Sequence, residues 1–424
     1  MRCDRNNEWQ FIYSTKLPQA GSHVKGDEVV PRLPLEQNGT MRGIYVHIPF
    51  CVKKCAYCDF YSVAGNEEAL GEFPRLLLRE MELFLERFPD EANVPADTVF
   101  FGGGTPTVLR AEALCGILAA LKGKFPIAPD AEVTTEVNPG TVTAEDFRAL
   151  RKGGFNRVSI GVQSFDPRTL ETLGRIHGVD GIRAAYGDAR RAGFSSIGID
   201  LIFGIPGQEA AGWGNDLDMA VTFLPAHISA YALAPEKATP LHEAIGRGEL
   251  RMPEDDAVAE MYEEARRMLA GAGYRHYEIS NFSRPGAECR HNIKYWRREG
   301  YLGLGPSAHG LLFPRGASPF GVRTANPPSL PDYRGRIEQG RLPWAEERDC
   351  GLEDAWKESF IAGLRLLEGV DRKEVEKRYG PPPENLRKAV ETLAGAGRLK
   401  EEGARLRLPE NLLFVSNEVL QALA

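Results

Sequence analysis

The chain has 424 residues, an apolar share of 42% and a formal net charge of −7. This length predicts about two domains. The acidic balance argues against nucleic acid as a partner, because phosphate binding needs clustered positive charge. No apolar run approaches the ~20 residues of a membrane-spanning helix, so we expect no intrinsic membrane anchor.

The cysteine content and the N-terminal residues indicate where the protein works. Seven cysteines are an odd number, and three of them are crowded into one stretch, which is unlike a disulfide framework. We therefore expect a reducing, cytoplasmic location, and the N-terminus shows no signal-peptide pattern. Residues 1–40 are polar and aperiodic, which predicts a disordered extension. Translation could start at Met1 or at Met41, just before the first convincing strand.

Between Gly43 and about Ala234, short apolar runs alternate with helical patterns. The predicted strands are Gly43–His47, Thr98–Phe101, Glu132–Glu136, Arg157–Val162, Ser196–Ile202 and His227–Ala232. The predicted helices between them are Glu67–Phe88, Ala111–Lys122, Thr143–Arg151, Gly181–Arg191 and Gly212–Phe223. This alternation is typical of an α/β fold with parallel strands. Functional residues should then lie at the carboxyl ends of the strands.

The remaining chain divides into two further predicted regions. Residues 241–347 contain one amphipathic helix, Glu254–Ala270, followed by aromatic and glycine-rich sequence. Residues 348–424 are mainly helical, and a small hairpin turns at Gly403. Three helices with such a hairpin indicate a winged-helix-like domain. Its acidic and basic residues are nearly balanced, which favours a structural or protein-contact role over DNA binding.

The central motif is a loop in which Cys51, Cys55 and Cys58 follow one another at spacings of four and three. Thiolates are soft ligands suited to Fe–S clusters, zinc and copper(I). A structural zinc site would close its fourth position with another Cys or His, and the nearby His47 belongs to a predicted strand. A [4Fe–4S] cluster with one open iron fits three thiolates, whereas zinc or plain structural cysteines are the alternatives.

Polar and glycine residues follow the later predicted strands. Gly102, Gly103 and Gly104 allow a ligand to approach the backbone closely, although a tight turn would need them equally. Glu136 is either a ligand contact or a capping acid. Asp200 lies in a very apolar strand, where an unpaired carboxylate is costly. Arg175 could pair with Asp200 or lie on the surface.

These motifs together resemble the radical S-adenosylmethionine (SAM) superfamily, and within it the oxygen-independent coproporphyrinogen III oxidases. The resemblance runs from Tyr45 into the C-terminal domain through Tyr-x-His-Ile-Pro-Phe-Cys, Gly-Gly-Gly-Thr-Pro-Thr, Glu-x-Asn-Pro, Gly-Val-Gln-Ser-Phe and Asp-Leu-Ile-x-Gly-x-Pro. It implies a partial (β/α)6 barrel over residues 41–240, with residues 241–347 covering its mouth. A closed eight-stranded barrel and an open doubly wound sheet are the alternatives.

The resemblance also implies a set of ligand contacts. Cys51, Cys55 and Cys58 would hold the cluster. The positions that match SAM contacts are Tyr45, Gly103, Gly104, Thr105 and Glu136, and Tyr57 is counted with the cofactor-binding residues. The positions that match a second SAM site of the oxidases are Gln163, Arg175, Asp200 and Ala234.

One departure separates this chain from the oxidases. They carry a fourth cysteine two residues after the third, where this chain has Phe60. It also lacks their long ordered region before the first strand. Both features resemble the HemW branch, whose members bind heme, and so does the segment His291-Asn-x-x-Tyr295-Trp296. Neutral imidazole is a common axial ligand of heme iron. His291 is therefore the candidate heme ligand, with Cys289, His276 and His309 as weaker candidates.

Two functions follow from these resemblances. The first is a cytoplasmic heme chaperone that binds a [4Fe–4S] cluster, SAM and heme and passes heme to apo-hemoproteins. The second is a coproporphyrinogen III oxidase, which would form protoporphyrinogen IX by oxidative decarboxylation through a 5′-deoxyadenosyl radical. Phe60 and the His291–Trp296 segment favour the chaperone. The protein would be a monomer or a cofactor-dependent homodimer.

Overall fold

The computed structural model of the protein describes residues 41–237 and 239–424. The extension predicted for residues 1–40 lies outside this part of the chain, and the choice between Met1 and Met41 stays a prediction. Within the described residues, no helix combines the length and the apolar character needed to cross a membrane.

Strands and helices alternate through much of the described chain. The strands are β1 (Arg42–Ile48), β2 (Phe50–Cys51), β3 (Val63–Ala64), β4 (Ala96–Gly103), β5 (Ile127–Val137), β6 (Arg157–Gln163), β7 (Ser196–Phe203), β8 (His227–Ala232), β9 (Arg275–Glu278), β10 (Asn281–Ser283), β11 (Tyr301–Leu304), β12 (His309–Leu312), β13 (Val322–Ala325), β14 (Glu346–Asp349), β15 (Val370–Asp371), β16 (Lys400–Glu402) and β17 (Arg405–Arg407). The helices are α1 (Glu67–Arg87), α2 (Ala111–Lys124), α3 (Ala144–Gly153), α4 (Pro167–Thr172), α5 (Val179–Arg191), α6 (Ala210–Thr222), α7 (Pro240–Gly246), α8 (Asp255–Gly271), α9 (Arg290–Trp296), α10 (Leu330–Glu338), α11 (Leu352–Gly363), α12 (Arg372–Tyr379), α13 (Glu384–Gly395) and α14 (Ser416–Gln421).

The six predicted strands are confirmed as the parallel run β1-β4-β5-β6-β7-β8, with helices in the connections. The residues along β1 show why this run forms. Ile44, Val46 and Ile48 are fully buried in the main apolar core. Tyr45 and His47 alternate with them on the other face, and their side chains contact each other. This period of two is the pattern of a strand with two different faces.

The main sheet continues beyond these six strands. Its order is β14-β13-β12-β11-β1-β4-β5-β6-β7-β8-β10-β9. β11 pairs with β1 in parallel, β12–β14 follow it in antiparallel order, and β10 and β9 continue antiparallel from β8. In the described residues β14 and β9 do not pair with each other, so the barrel is open. The prediction of a partial barrel is confirmed, and the closed alternative is wrong.

Residues 241–347 contribute more to the sheet than was expected of a cover over the barrel mouth. They supply five of its strands and the start of a sixth, β14, and α9 packs at the opposite end of the barrel. The backbone N–H groups of Arg290 and His291 donate to Glu132, which pairs with Thr98 near the amino ends of the parallel strands. α9 therefore closes the amino end, which corrects its expected position, while the predicted domain boundaries stay predictions.

The C-terminal region has the expected winged-helix-like content: α11, α12 and α13, a small sheet in the order β15-β17-β16, and α14. Several contacts attach it to the barrel, and two of them are buried deeply. Leu366, three residues after α11, forms an antiparallel bridge with Glu278 of β9. Arg298, just after α9, donates to Glu358 of α11 over 2.7 Å. Both contacts are buried, so this region packs as a continuation of the barrel.

Candidate functional site: a three-cysteine loop at the carboxyl end of the barrel

The three-cysteine loop leaves β1 at the carboxyl end of the barrel and is anchored on two sides by backbone hydrogen bonds. Gly104 donates to Ile48, and Thr105 donates to Phe50, over 2.8 and 2.7 Å. Farther along the loop, Ala56 donates to Leu173 over 3.1 Å. The loop conformation is therefore set by the strand end and by the segment after α4, before any ligand is bound.

Each of the three sulfur atoms accepts a hydrogen bond. Thr105 Oγ1 donates to Cys51 Sγ over 3.6 Å, and a terminal nitrogen of Arg175 donates to Cys55 Sγ over 3.3 Å. The Phe60 backbone hydrogen-bonds to the Cys58 thiol. Such donors favour the ionised form of a thiol, which is the form that binds metal.

The electrostatics of Cys58 show that the thiols lie near one another. Burial raises the pKa of Cys58 to about 12, and Cys55 and Cys51 add to this rise. Within residues 41–237 and 239–424, no preformed metal-ion site of three His, Cys, Asp or Glu side chains is present. The donor set fits a cluster with one open iron, because it consists of three thiols, each with a hydrogen-bond donor.

A polar network connects two of these sulfur atoms through Asn138. The second terminal nitrogen of Arg175 donates to Asn138 Oδ1 and, over 2.9 Å, to the Gly161 carbonyl. Asn138 Nδ2 in turn donates to Thr105 Oγ1 over 2.6 Å. Asn138 was missed by the sequence reasoning, although it stands in the quoted Glu-x-Asn-Pro motif. Its amide can donate and accept at once, which suits a link between a cation and a hydroxyl.

Arg175 makes these contacts in place of the expected ion pair with Asp200. Asp200 instead accepts hydrogen bonds from Ser159 and Ser229, with shortest distances of 2.9 and 2.6 Å. Burial raises the pKa of Asp200, while the two serines lower it in part. Arg175 also hydrogen-bonds to Tyr57. The proposed pairing of Arg175 with Asp200 is therefore wrong, and Arg175 contacts the cysteine loop instead.

The glycine run has a packing reason inside the protein. Gly103 has φ of 110°, and a Cβ there would lie 2.7 Å from the ring of His47. A Cβ on Gly104 would lie 2.6 Å from the Phe50 carbonyl oxygen. A larger residue would push the run away from β1. The tight-turn interpretation is therefore sufficient for these glycines, and their contact with SAM stays a prediction.

Glu136 and Tyr45 lie below the glycine run. Glu136 accepts a hydrogen bond from the Gly103 N–H over 3.2 Å. Burial and the neighbouring Asp200 raise the pKa of Glu136 to about 8. The Tyr45 hydroxyl lies 3.1 Å from His47 Nδ1, and burial and Glu136 raise its pKa. Glu136 thus has a carboxylate that a cationic group could ionise fully.

Gln163 ends β6 in an unusual backbone conformation, with φ of 67°. The two residues after it are held by Asp216 of α6. Ser164 Oγ and the Phe165 N–H donate to this carboxylate over 2.7 and 2.6 Å. Asp216 was also missed, because it lies in a helix far along the chain. Ala234 follows the end of β8 and is half-buried.

The structure places His291 away from the cysteine loop. It is 1% exposed, its Nδ1 lies 2.8 Å from Thr98 Oγ1, and its Nε2 lies 2.8 Å from the Tyr295 hydroxyl. Burial and Lys294 lower its pKa to about 3, so that the ring is neutral. Both ring nitrogens are engaged by protein groups. Iron ligation by His291 therefore finds no support in this arrangement and stays a prediction.

Two of the weaker heme-ligand candidates, Cys289 and His276, are packed against protein groups, and His276 Nδ1 has no hydrogen-bond partner among the described residues. Cys289 is 2% exposed, and its thiol contacts Glu132. His276 stacks on Phe282 with 4.2 Å between ring centroids. His309 begins β12 and pairs with Ala325.

Comparison with known proteins agrees with this geometry. Residues 45–220 match the model of the radical SAM superfamily, and residues 352–412 match the HemN C-terminal domain. The chain is 36% identical over 383 residues to the heme chaperone HemW of Mycobacterium tuberculosis, covering 90% of this chain and 94% of the relative. The Escherichia coli heme chaperone HemW is 35% identical, covering 89% and 97%.

The chain belongs to the HemW family. The structure of coproporphyrinogen III oxidase (HemN) from Escherichia coli shares its fold, with a TM-score of 0.76, 23% identity and 91% of each chain covered. As a radical SAM protein, this HemW relative has a fold that implies a [4Fe–4S] cluster and SAM. The resemblance inferred from the motifs is therefore confirmed.

Proposed function

We propose that the protein is a heme chaperone that binds heme and delivers it to apo-hemoproteins. The observation that carries this proposal is the match to proteins named heme chaperone HemW across about nine-tenths of the chain. The cysteine loop agrees with it, since Phe60 occupies the position where the oxidases have a fourth cysteine. The acceptor is a protein that lacks its heme, and its identity is open to experiment.

The chain's own residues would hold the cofactors as follows. Cys51, Cys55 and Cys58 would bind the cluster, and Thr105 and Arg175 donate hydrogen bonds to Cys51 and Cys55. When bound, the cluster would supply an iron site for SAM and a path for one-electron transfer. Glu136 offers a carboxylate for an ammonium group, because the charge of that group would lower a pKa that burial and Asp200 have raised.

Coproporphyrinogen III oxidase activity is the second candidate. The observation in its favour is the shared fold with the Escherichia coli enzyme. However, a fold supports many functions, so likeness at this level of identity leaves the reaction open. Phe60 distinguishes the two candidates at a single position.

Anaerobic reconstitution tests both functions on one sample. The cluster is rebuilt, heme binding is followed by absorption spectroscopy, and coproporphyrinogen III is supplied with SAM and a reductant. We expect heme binding, transfer of heme to an added apo-hemoprotein, and no protoporphyrinogen IX. Turnover by the purified protein would overturn the chaperone assignment.

The proposed state of assembly is a monomer or a cofactor-dependent homodimer. Light scattering with the apoprotein, with the cluster and with heme would distinguish them. A dimer that is present before either cofactor is added would contradict this proposal.

A further inference from the structure

One buried arginine of this protein, Arg365, differs from the others because no carboxylate oxygen of the described residues lies within ion-pair distance of it. The buried arginines in the described chain are Arg42, Arg157, Arg298 and Arg365. The first three have a carboxylate oxygen within ion-pair distance, at 2.6 Å from Glu91, 3.9 Å from Glu132 and 2.7 Å from Glu358. Arg365 is 4% exposed, and its guanidinium has no ion pair or hydrogen bond to any described residue. A buried cation without a counter-ion is costly.

Arg365 lies where the barrel meets the C-terminal region. It follows α11, and its carbonyl oxygen accepts a hydrogen bond from the Ile279 N–H over 3.1 Å. The next residue, Leu366, forms the bridge to Glu278 at the edge of the sheet. The backbone around Arg365 is therefore fixed, although its side chain lacks polar partners.

The guanidinium of Arg365 lies on an aromatic side chain. Its central carbon is 4.7 Å from the ring centroid of Trp296, at the end of α9. The indole Nε1 of Trp296 is buried and also lacks a hydrogen-bond partner among the described residues, as does Nε of Arg365. The end of α9 and the segment after α11 thus bring two N–H donors without partners, the indole of Trp296 and the cationic guanidinium of Arg365, to neighbouring positions.

The charged and titratable groups around Arg365 do not satisfy it. Its electrostatic neighbours are Glu278, Tyr262 and Tyr231. Glu278 Oε1 already accepts from Asn281 Nδ2 and from the Ser280 N–H. Burial raises the pKa of Glu278, and the charge of Arg365 lowers it in part. The other carboxylate oxygen, Glu278 Oε2, is buried without a hydrogen-bond partner among the described residues, and it lies beyond ion-pair distance of Arg365.

We propose that Arg365 is the anchor for a carboxylate of the tetrapyrrole, namely a heme propionate. This inference rests on the proposed heme-binding function and deepens it. A guanidinium pairs with a carboxylate through two parallel hydrogen bonds, and Trp296 supplies a platform and a further N–H donor. The His291–Trp296 segment then contributes to heme binding through Trp296, which does not require its histidine to reach the iron.

The unmodified protein provides the first test. Heme and its dimethyl ester are titrated in the same detergent buffer, with binding followed by absorption spectroscopy. The ester keeps the iron and the ring but has no carboxylate for Arg365. We expect the ester to bind about 10- to 100-fold more weakly, as for loss of a hydrogen-bonded charge. Equal affinity for acid and ester would refute the anchor and leave the proposed function intact.

Arg365→Gln provides the second test. It should weaken binding of heme by about the same factor and leave the ester unaffected, so that the preference for the acid disappears. Arg365→Lys keeps the positive charge but cannot form the two parallel hydrogen bonds of a guanidinium. It should therefore retain part of the preference for heme over its dimethyl ester. Arg297→Gln is the matched control, because Arg297 is about half exposed and pairs with Glu368 at the surface.

The remaining outcomes separate the anchor from the function. Reconstitution of the cluster in each variant reports folding independently of heme. A variant at position 365 that folds and keeps the full acid preference overturns the anchor alone. If the unmodified protein binds neither heme nor its ester, the proposed function fails and the anchor fails with it.

Discussion

Polar side chains at the two ends of the barrel have different kinds of hydrogen-bond partner. At the carboxyl end, Arg175, Asn138 and Thr105 pass hydrogen bonds to the cysteine sulfurs. At the amino end, α9 brings His291 to Thr98 and Tyr295, which engage both ring nitrogens. The first set of polar groups ends on cysteine sulfur atoms that are proposed to bind the cluster, whereas the groups of the second set satisfy one another.

This difference separates residues that support the proposed cluster site from residues that support the fold. A hydrogen bond to a sulfur stabilises an ionised thiol and has a purpose once metal is bound. A hydrogen bond between His291 and Thr98 satisfies two buried polar groups and holds α9 on the barrel. A side chain of a ligand-binding type is therefore insufficient to locate a site, because its partners decide its role.

The largest expected effect is at the carboxyl end. Replacing Cys51, Cys55 or Cys58 by serine, one at a time, should remove most bound iron and most visible absorption after reconstitution, because each is one of the three thiolates proposed to hold the cluster. Iron and sulfide analysis measures this. Cys115→Ser is the control, since Cys115 lies on α2 and its thiol hydrogen-bonds to the Ala149 carbonyl. Full iron content in any of the three variants would disprove the cluster assignment.

The second effect is on the attachment of α9 to the C-terminal region. Glu358 lies between Arg298 and Arg323, at 2.7 Å from each. Glu358→Ala should lower the free energy of unfolding by about 3–5 kcal/mol, because it leaves the buried Arg298 and the partly buried Arg323 without their counter-ion. Denaturant titration measures this, with the exposed Glu353→Ala as a control. A loss as small as that of the control would show that the pairing is dispensable.

The same carboxylate predicts a dependence on pH. Burial alone raises the pKa of Glu358, but Arg323 and Arg298 outweigh burial and lower it below its ordinary value of 4.5. The unfolded chain therefore binds this proton more readily. Its stabilisation is present above pH 4.5 and is lost as the pH falls through the folded-state value. Glu358→Gln should remove this part of the acid sensitivity, and an unchanged acid limb would contradict the assignment.

A third, smaller effect is expected for His291→Ala. It leaves Thr98 and Tyr295 without their partner, which should lower the free energy of unfolding by about 1–3 kcal/mol. Since the pKa of His291 falls from 6.5 to about 3 on folding, its stabilisation is present above pH 6.5 and is lost as the pH falls towards 3. Heme spectra of His291→Ala and Tyr295→Phe complete the test. A change in the heme spectrum that occurs in His291→Ala but not in Tyr295→Phe would support iron ligation by His291. The amino end of the barrel would then be a second ligand site.

The smallest effect concerns Asn138, which supports the sulfur donors without touching a sulfur itself. Asn138→Ala should release cluster iron to a chelator about tenfold faster. It should also lower the cluster's reduction potential, because hydrogen bonds to sulfur favour the reduced cluster. Asn385→Ala is the control, since Asn385 contacts Glu353 at the surface. If iron release and potential both match the control, Thr105 and Arg175 hold their positions without Asn138.

The sequence pattern predicted the parallel part of the barrel well, because each strand is an apolar run and a helical pattern follows it in the sequence. It predicted the antiparallel strands poorly. β9 to β14 are three or four residues long, which is too short for a clear period. Their place at the sheet edges depends on pairing partners far along the chain, such as β11 with β1. α4 was also missed, since its six residues contain little apolar periodicity.

Within the site, the cysteine spacing could be interpreted directly, because all three cysteines lie on one loop. The partners of Arg175 and Asp200 could not be predicted from the sequence, since the arrangement of the strands decides which side chains lie next to them. Ser159 and Ser229, which satisfy Asp200, come from the strands on either side of it. Asn138 was within reach, because it stands two residues after Glu136 in a motif whose acid alone was considered.

An open barrel leaves two sheet edges on which another chain could add a strand. The outer edge of β9 is covered in part by its bridge to Leu366. The opposite edge strand, β14, reads Glu-Glu-Arg-Asp, and such charges oppose pairing with a copy of itself. The protein can thus keep an unclosed sheet in solution without joining its neighbours edge to edge. A truncation before Leu366 would uncover β9 and favour self-association.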